Sequence, residues 1–323
     1  MKGLLTTTVG SFPKPEYLKK ARAKFSRKEI TMQELESLER KATEDVIRLQ
    51  ETLGLDILVD GEMYRGDMAT FFARNMEGFK ISGLVRSYGN RYYKKPVAVR
   101  KIKRTKPITT EMFKFTQKLT SKPVKGILTG PYTMTDWSFN EYYSSRKDMI
   151  IDLAYAIHDE AVDLESAGAR YIQIDEPAIS TRPEELDLAI DAMKIVTDGI
   201  NAKTITHICY GDFEKIYPKM LELPVDQIDL EMANSNFDFL NLFKKYKFTK
   251  EIGFGVIDVH THKTETKEYV KNGIRKALEV FSPDKVFVDP DCGLKTRTEK
   301  EAYQKLKVMA EATMDVKKEL NIE

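Results

Sequence analysis

The sequence predicts an α/β fold, a (β/α)8 TIM barrel, and three observations carry that expectation. Eight short aliphatic and β-branched runs lack strict polar alternation, as strands covered on both faces do. Amphipathic stretches of helical spacing lie between most of them, the alternation from which parallel α/β folds are built. The first run ends in VGSFPKP, with one glycine and two prolines. That is a poor cradle for a dinucleotide and argues against the rival doubly wound open sheet.

Taken in order, the first strand is expected at Leu4–Val9, followed by a helix over Met32–Thr52 and a second strand at Asp56–Asp60. Leu84–Val99 breaks the rhythm. Its SYGNRYY, with Gly-Asn at the centre, predicts an inserted hairpin after the second βα unit. Lys125–Thr129 is the third strand. In the stretch Tyr142–Ala167, Ile150, Leu153, Ala154, Ile157, Ala161 and Leu164 recur at helical spacing, and Gly168 ends it. Strand Tyr171–Asp175, helix Pro183–Ile200, and strands Thr204–Cys209, Gln227–Glu231 and Gly253–Asp258 follow. A helix over Thr264–Phe281 stops at Ser282-Pro283, strand Lys285–Asp289 comes next, and helix Glu299–Leu320 is last. With no low-complexity linker, residues 1–323 are expected to form one catalytic barrel domain.

Of 323 residues, 41% are hydrophobic, enough for a large core. The balance of 52 basic and 50 acidic residues gives a net charge of +2, so neither nucleic acid nor a membrane surface is an expected partner. No apolar run approaches the roughly 20 residues that cross a bilayer, and the apolar stretch in MKGLLTTTVGSFPKP is short for a signal peptide. A cytoplasmic protein is expected. Its two cysteines then point to metal or thiol chemistry before a disulfide.

Reactive groups of such a barrel sit at the C-terminal ends of its strands. Here Ser11 follows the first strand, Glu62 the second, Gly130 and Trp137 the third, and Asp175 with Glu176 the fourth. His207 and Cys209 end the fifth, Glu231 the sixth, His260 the seventh and Cys292 the eighth. His207 and Cys209, two apart on a strand, share a face. Alone they read as a packed histidine beside a buried thiol. With Glu231 and Cys292 they form a tetrahedral set suited to Zn²⁺. A purely structural zinc would more often use Cys and His alone, so the carboxylate favours a catalytic one. Asp175-Glu176 reads either as a helix N-cap or as a carboxylate for a substrate ammonium, and Glu62 invites the same two readings. His260 is a solvated loop histidine or a general acid. Trp137 packs or stacks on a flat ligand.

Nine ordered stretches resemble the catalytic C-terminal half of cobalamin-independent methionine synthase along nearly the whole chain. They are TTTVGSFP, DGEMYRGDM, SYGNRYYKKP, LTGPYTMTDWSF, YIQIDEPA, THICYGDF, IDLEMANSN, GVIDVHTHK and DPDCGLKTR. The resemblance implies a (β/α)8 barrel with zinc on His207, Cys209, Glu231 and Cys292. It implies homocysteine held by the backbone of Val9, Gly10 and Ser11 and by Glu62 and Asp175. His260 matches the family's proton donor, and Arg91 and Trp137 match positions that touch the methyl donor. Full-length members carry an additional N-terminal barrel, whereas this chain is expected to start at the catalytic one. Ser180 and Thr181 stand where an acidic folate contact usually follows IDEPA, and Tyr92 replaces a small residue.

The implied activity is zinc-dependent methyl transfer to homocysteine. The donor is a methyltetrahydrofolate-type molecule or a methylcorrinoid, delivered free, by a corrinoid protein or by a separate N-terminal-type barrel. The alternatives are the same chemistry on another thiol acceptor, a non-catalytic homocysteine-binding protein and a zinc hydrolase.

Overall fold

Helix ends follow local side-chain chemistry. The computed structural model describes residues 3–86, 92–209, 211 and 213–322. In chain order it has β1 (Leu5–Thr6), α1 (Glu16–Ser26), α2 (Met32–Thr52), α3 (Met68–Arg74), β2 (Glu77–Arg86) and β3 (Tyr92–Lys103). Next come α4 (Thr110–Gln117), β4 (Lys125–Thr129), α5 (Pro131–Asp136), β5 (Phe139–Asn140), α6 (Arg146–Ser166), β6 (Tyr171–Asp175), α7 (Leu186–Val196) and β7 (Lys203–Ile208). The last are β8 (Gln227–Leu230), α8 (Leu240–Lys245), β9 (Glu251–Ile257), α9 (Lys267–Leu278), β10 (Val286–Pro290) and α10 (Glu299–Leu320). Reciprocal capping boxes open α2 (Thr31 with Glu34) and α10 (Thr298 with Glu301). Both helices span the residues expected from sequence.

Seven strands make one sheet in the order β1-β10-β9-β8-β7-β6-β4, and β2-β3-β5 make another. The curled parallel sheet is that of an α/β barrel fold. The chain divides into two compact units, one of Met1–Tyr64, Lys114–Lys125 and Ile228–Glu323, the other of Arg65–Phe113 and Gly126–Gln227.

In the first unit β10 pairs in parallel with both β1 and β9. The expected strand Asp56–Asp60 is not a regular strand. Asp56 and Ile57 both donate to Thr6 O, Leu58 N donates to Pro123 O, and Lys125 N donates to Leu58 O. One bridge, Leu58 to Val124, is all that the ladder forms. The Asp56 carboxylate also accepts from Thr6 N, at 2.8 Å. This bond draws the segment across the ladder, so it occupies a strand's place without a strand's pattern. The expected first strand shortens to two residues, because Thr7 onward belongs to the loop. Phe243, Phe248 and Phe281 meet edge-on at 4.9–5.9 Å, a favoured aromatic geometry.

In the second unit β4, β6 and β7 are buried nearly end to end, which explains their lack of polar alternation. β2 and β3 pair antiparallel from Glu77–Lys103 to Arg86–Tyr92. The expected hairpin turn with Gly89-Asn90 lies outside the described residues. α6 starts at Arg146 rather than Tyr142, because Asn140 Oδ1 accepts from Tyr142 N and Tyr143 N and Ser145 then caps the helix. The expected helix Pro183–Ile200 opens with a short 3-10 turn, Pro183–Glu185, ahead of α7. The expected helix Thr264–Phe281 is α9, capped by Thr266. Fully buried Glu160 accepts from Ile108 N, Thr109 N, the Thr109 hydroxyl and Arg104. These bonds satisfy a charge that burial would otherwise penalise. Among the described residues, no helix is long and apolar enough to cross a membrane.

Candidate functional site

The ends of β6 and β7 supply the second unit's groups. Asp175 is the last residue of β6, and its Oδ1 accepts from Gln173 Nε2 at 2.6 Å. Glu176, fully buried, accepts from Tyr132 N at 3.0 Å and Thr133 N at 2.7 Å. These are first-turn amides of α5, whose N-cap Gly130 has no side chain to offer. A Cβ on Gly130 would stand 2.1 Å from the Glu176 carboxyl carbon, so only glycine leaves this path open. Burial pushes Glu176 up to about 7 against the pull of those bonds. The helix-capping reading therefore belongs to Glu176, and to a helix earlier in the chain than the one it precedes in sequence.

His207 lies within β7 and Cys209 one residue past its end, both buried. The Ser180 hydroxyl donates to Cys209 O at 3.2 Å. Ser180 also fills the space where a Cβ on Gly211 would fall. The serine at the expected acidic position is thus packing behind Cys209. Trp137 is the half-buried C-cap of α5. Arg91 lies outside the described residues.

In the first unit Val9, Gly10 and Ser11 are buried in the loop after β1. Gly61 and Glu62 take positive φ values of 70° and 55°. Gly61 O accepts from Phe12 N, and Glu62 N donates to Asp60 Oδ1 at 2.8 Å. A glutamate held in the left-handed region is uncommon and marks a local constraint. Glu231 follows β8 and is buried; its Oε1 lies 3.1 Å from Nε2 of solvent-exposed His260, in the turn after β9. That hydrogen bond raises the His260 pKa above its ordinary value; burial opposes the rise, while the charges of Glu231 and Cys292 add to it.

Cys292 follows β10 and is half-buried. Beside it, fully buried Asp291 accepts from Met232 N and Ala233 N at 2.9 Å and from Asn234 N at 2.6 Å. The carboxylate crosses β9 at Gly255, where a Cβ would stand 2.2 Å from Asp291 Oδ1. Burial pushes Asp291 up to about 7, against those three amides. Gly293 makes room for Ser11, whose Oγ would lie 2.1 Å from an added Cβ, and Leu294 N donates to Ser11 O at 2.7 Å.

One group among the described residues is able to hold a metal ion. His207, Cys209 and Cys292 each offer a donor atom, all within 4.8 Å of one another. The two cysteines are not joined in a disulfide. Two sulfurs and one imidazole fit a borderline, tetrahedral ion and do not fit magnesium or calcium. Glu231, expected as the fourth ligand, is not one of these three; its hydrogen bond is with His260, at 3.1 Å. Sequence reasoning missed the parts played by Glu176, Asp291, Gly255 and Gly293. The one available signal was a glycine N-cap before Pro131, which requires an acceptor from elsewhere.

The family described as cobalamin-independent synthase, catalytic domain, matches residues 4–315. A methionine synthase of Saccharolobus solfataricus is 43% identical over 318 residues, covering 98% of this chain and 96% of that protein. One of Sulfurisphaera tokodaii is 42% identical, covering 98% and 94%. A B12-independent methionine synthase from Shewanella sp. W3-18-1, solved with selenomethionine, superposes with a TM-score of 0.86 at 28% identity, covering 99% of each chain.

Proposed function

The chain belongs to the cobalamin-independent methionine synthase family, a family of methyltransferases, and from that premise we propose that it is a zinc-dependent enzyme that methylates homocysteine to methionine. It works in the cytoplasm as one catalytic barrel domain over residues 1–323. The observation that carries this reading is the convergence of His207, Cys209 and Cys292; in this reading Glu231 completes the set. Zinc, when bound, lowers the pKa of the substrate thiol, about 8.5 when free, and holds it ready as a nucleophile.

The chain's own residues bind, orient and move a proton. The backbone of Val9, Gly10 and Ser11, with the carboxylates of Glu62 and Asp175, holds the amino-acid end of homocysteine. Selenomethionine in the Shewanella relative is a methylated amino acid of the kind this site would release. Trp137 and Arg91 are the donor-binding residues of this reading. The sulfur–carbon bond forms as the carbon–nitrogen bond of a methyltetrahydrofolate-type donor breaks, and the electron pair leaves on nitrogen. His260 supplies the proton that the nitrogen takes up. A methylcorrinoid donor, brought by a corrinoid protein or a separate N-terminal-type barrel, leaves without that proton.

The test is metal analysis of the reduced protein, joined to methionine formation from homocysteine with methyltetrahydrofolate and methylcobalamin in separate assays. About one zinc per chain and turnover with at least one donor are expected. Turnover with simple thiols but not homocysteine would redirect the acceptor. A protein that takes up no metal and turns over neither donor would end the proposal.

A further inference from the structure

We infer that Lys305 is a positioning residue for His260, acting through the backbone of the loop between β9 and α9. The inference rests on the reading of His260 as the proton donor. Lys305 lies on α10 with its side chain fully buried. Its ammonium donates to Asp258 O at 2.9 Å, to Lys263 O at 2.5 Å and to the Glu265 carboxylate at 3.0–3.1 Å. A lysine has three N–H donors, and each has an acceptor here. Glu265 Oε1 in turn accepts from Asp258 N at 3.1 Å. One ammonium and one carboxylate therefore tie together both ends of the loop that carries His260.

This loop is held by side chains. Residues 258–266 form no helix or strand. The His260 amide donates to Asp258 Oδ1 at 2.8 Å, so the position of His260 is set by the position of Asp258. One turn before Lys305 on α10, Glu301 meets His262 at 2.8 Å, so the same helix holds the loop on the other side of His260. The neighbours Leu306 and Met309 are fully buried and apolar. A hydrophobic side chain would suit position 305 for packing alone, because a buried ion pair seldom outdoes an apolar core of equal volume. What the lysine adds is a fixed backbone at the two ends of the His260 loop, and a proton donor must be held within hydrogen-bond reach of its target.

The test uses the zinc-loaded full chain and Lys305→Met, an unbranched apolar side chain one atom shorter. With methyltetrahydrofolate as donor, kcat is expected to fall about ten- to a hundredfold while KM for homocysteine stays within about twofold. In a His260→Ala background the same substitution is expected to cost nothing further. Equal losses in both backgrounds would mean a merely structural role and overturn the inference. A second readout does not depend on turnover. The chain has four histidines, and at one fixed pH the His260 ring signals in the NMR spectrum are expected to move and broaden in Lys305→Met, with those of His158 unchanged. An unmoved His260 signal overturns the inference. A moved signal together with full turnover of His260→Ala keeps the positioning role and removes the proton-donor reading. If Glu265 left unpaired prevents folding, Lys305→Met/Glu265→Gln removes both charges and carries the same measurements.

Discussion

Two strand ends solve one problem in opposite order. β6 ends in Asp175 and then Glu176; β10 leads into Asp291 and then Cys292. In each pair one residue is a site candidate. The other is a fully buried carboxylate that grips backbone amides of a neighbouring loop. Each carboxylate needs a glycine in its path, Gly130 for the first and Gly255 for the second. What they hold differs. Glu176 holds the first turn of α5, a helix start. Asp291 holds Met232, Ala233 and Asn234, the residues directly after Glu231. Adjacent acids at a strand end are therefore not interchangeable, since alternate residues point to different faces and only one of the two is left for chemistry.

The largest effect expected is at the reactive member of the second pair. Cys292→Ser should lose bound metal and bring turnover down to background, with thermal unfolding little changed; a variant that kept full turnover would erase the distinction between ligand and clamp. Next come the glycines. Gly130→Ala and Gly255→Ala each force a methyl group into a carboxylate and should lower stability by about 3 kcal/mol in urea unfolding. Wild-type stability in either variant would mean that the corresponding clamp is not as described. The sharpest contrast is between the acids themselves. Asp291→Asn and Glu176→Gln should each cost about 1–3 kcal/mol, because an amide N–H would face a backbone N–H. Only Asp291→Asn should also weaken metal binding, by about 10–100-fold in a chelator competition. Equal weakening in both would break the comparison.

The smallest effect separates clamped charge from charge that is merely buried. Lys14, in the loop after β1, is held down at about 8, chiefly by burial and then by the charge of Arg22, with Glu62 pulling the other way. Unfolded, it releases its proton near the ordinary value of about 10.4. Between those two pH values the unfolded chain binds more protons at this position. The contribution of Lys14 to stability therefore rises with pH across that window. Lys14→Met should flatten the rise in urea midpoints measured from pH 8 to 10, and an unchanged slope would assign it elsewhere.

What could be read from the sequence was whatever depends on near neighbours. The capping boxes of Thr31 with Glu34 and Thr298 with Glu301 lie within four residues, and α2 and α10 were placed to the residue. The cysteines and His207 stood out because soft donors are scarce in this chain and fell at strand ends. Asp56–Asp60 looked like a strand because its aliphatic run is that of one; the bond from Thr6 N to the Asp56 carboxylate, 50 residues back, is not visible in that run. What Glu176, Asp291 and Lys305 hold was missed for one reason. Their partners are backbone amides or carbonyls more than 40 residues away, and a backbone group leaves no mark in a sequence.

Ser11 and Gly293 carry a consequence for descent. With Leu294 N on Ser11 O and the Ser11 hydroxyl where a Cβ on Gly293 would fall, the second position is not free to drift alone. Among relatives, a larger residue at the second position should be found only where the first has lost its hydroxymethyl group or its loop has been rebuilt, so that natural selection handles the two codons as a single heritable trait.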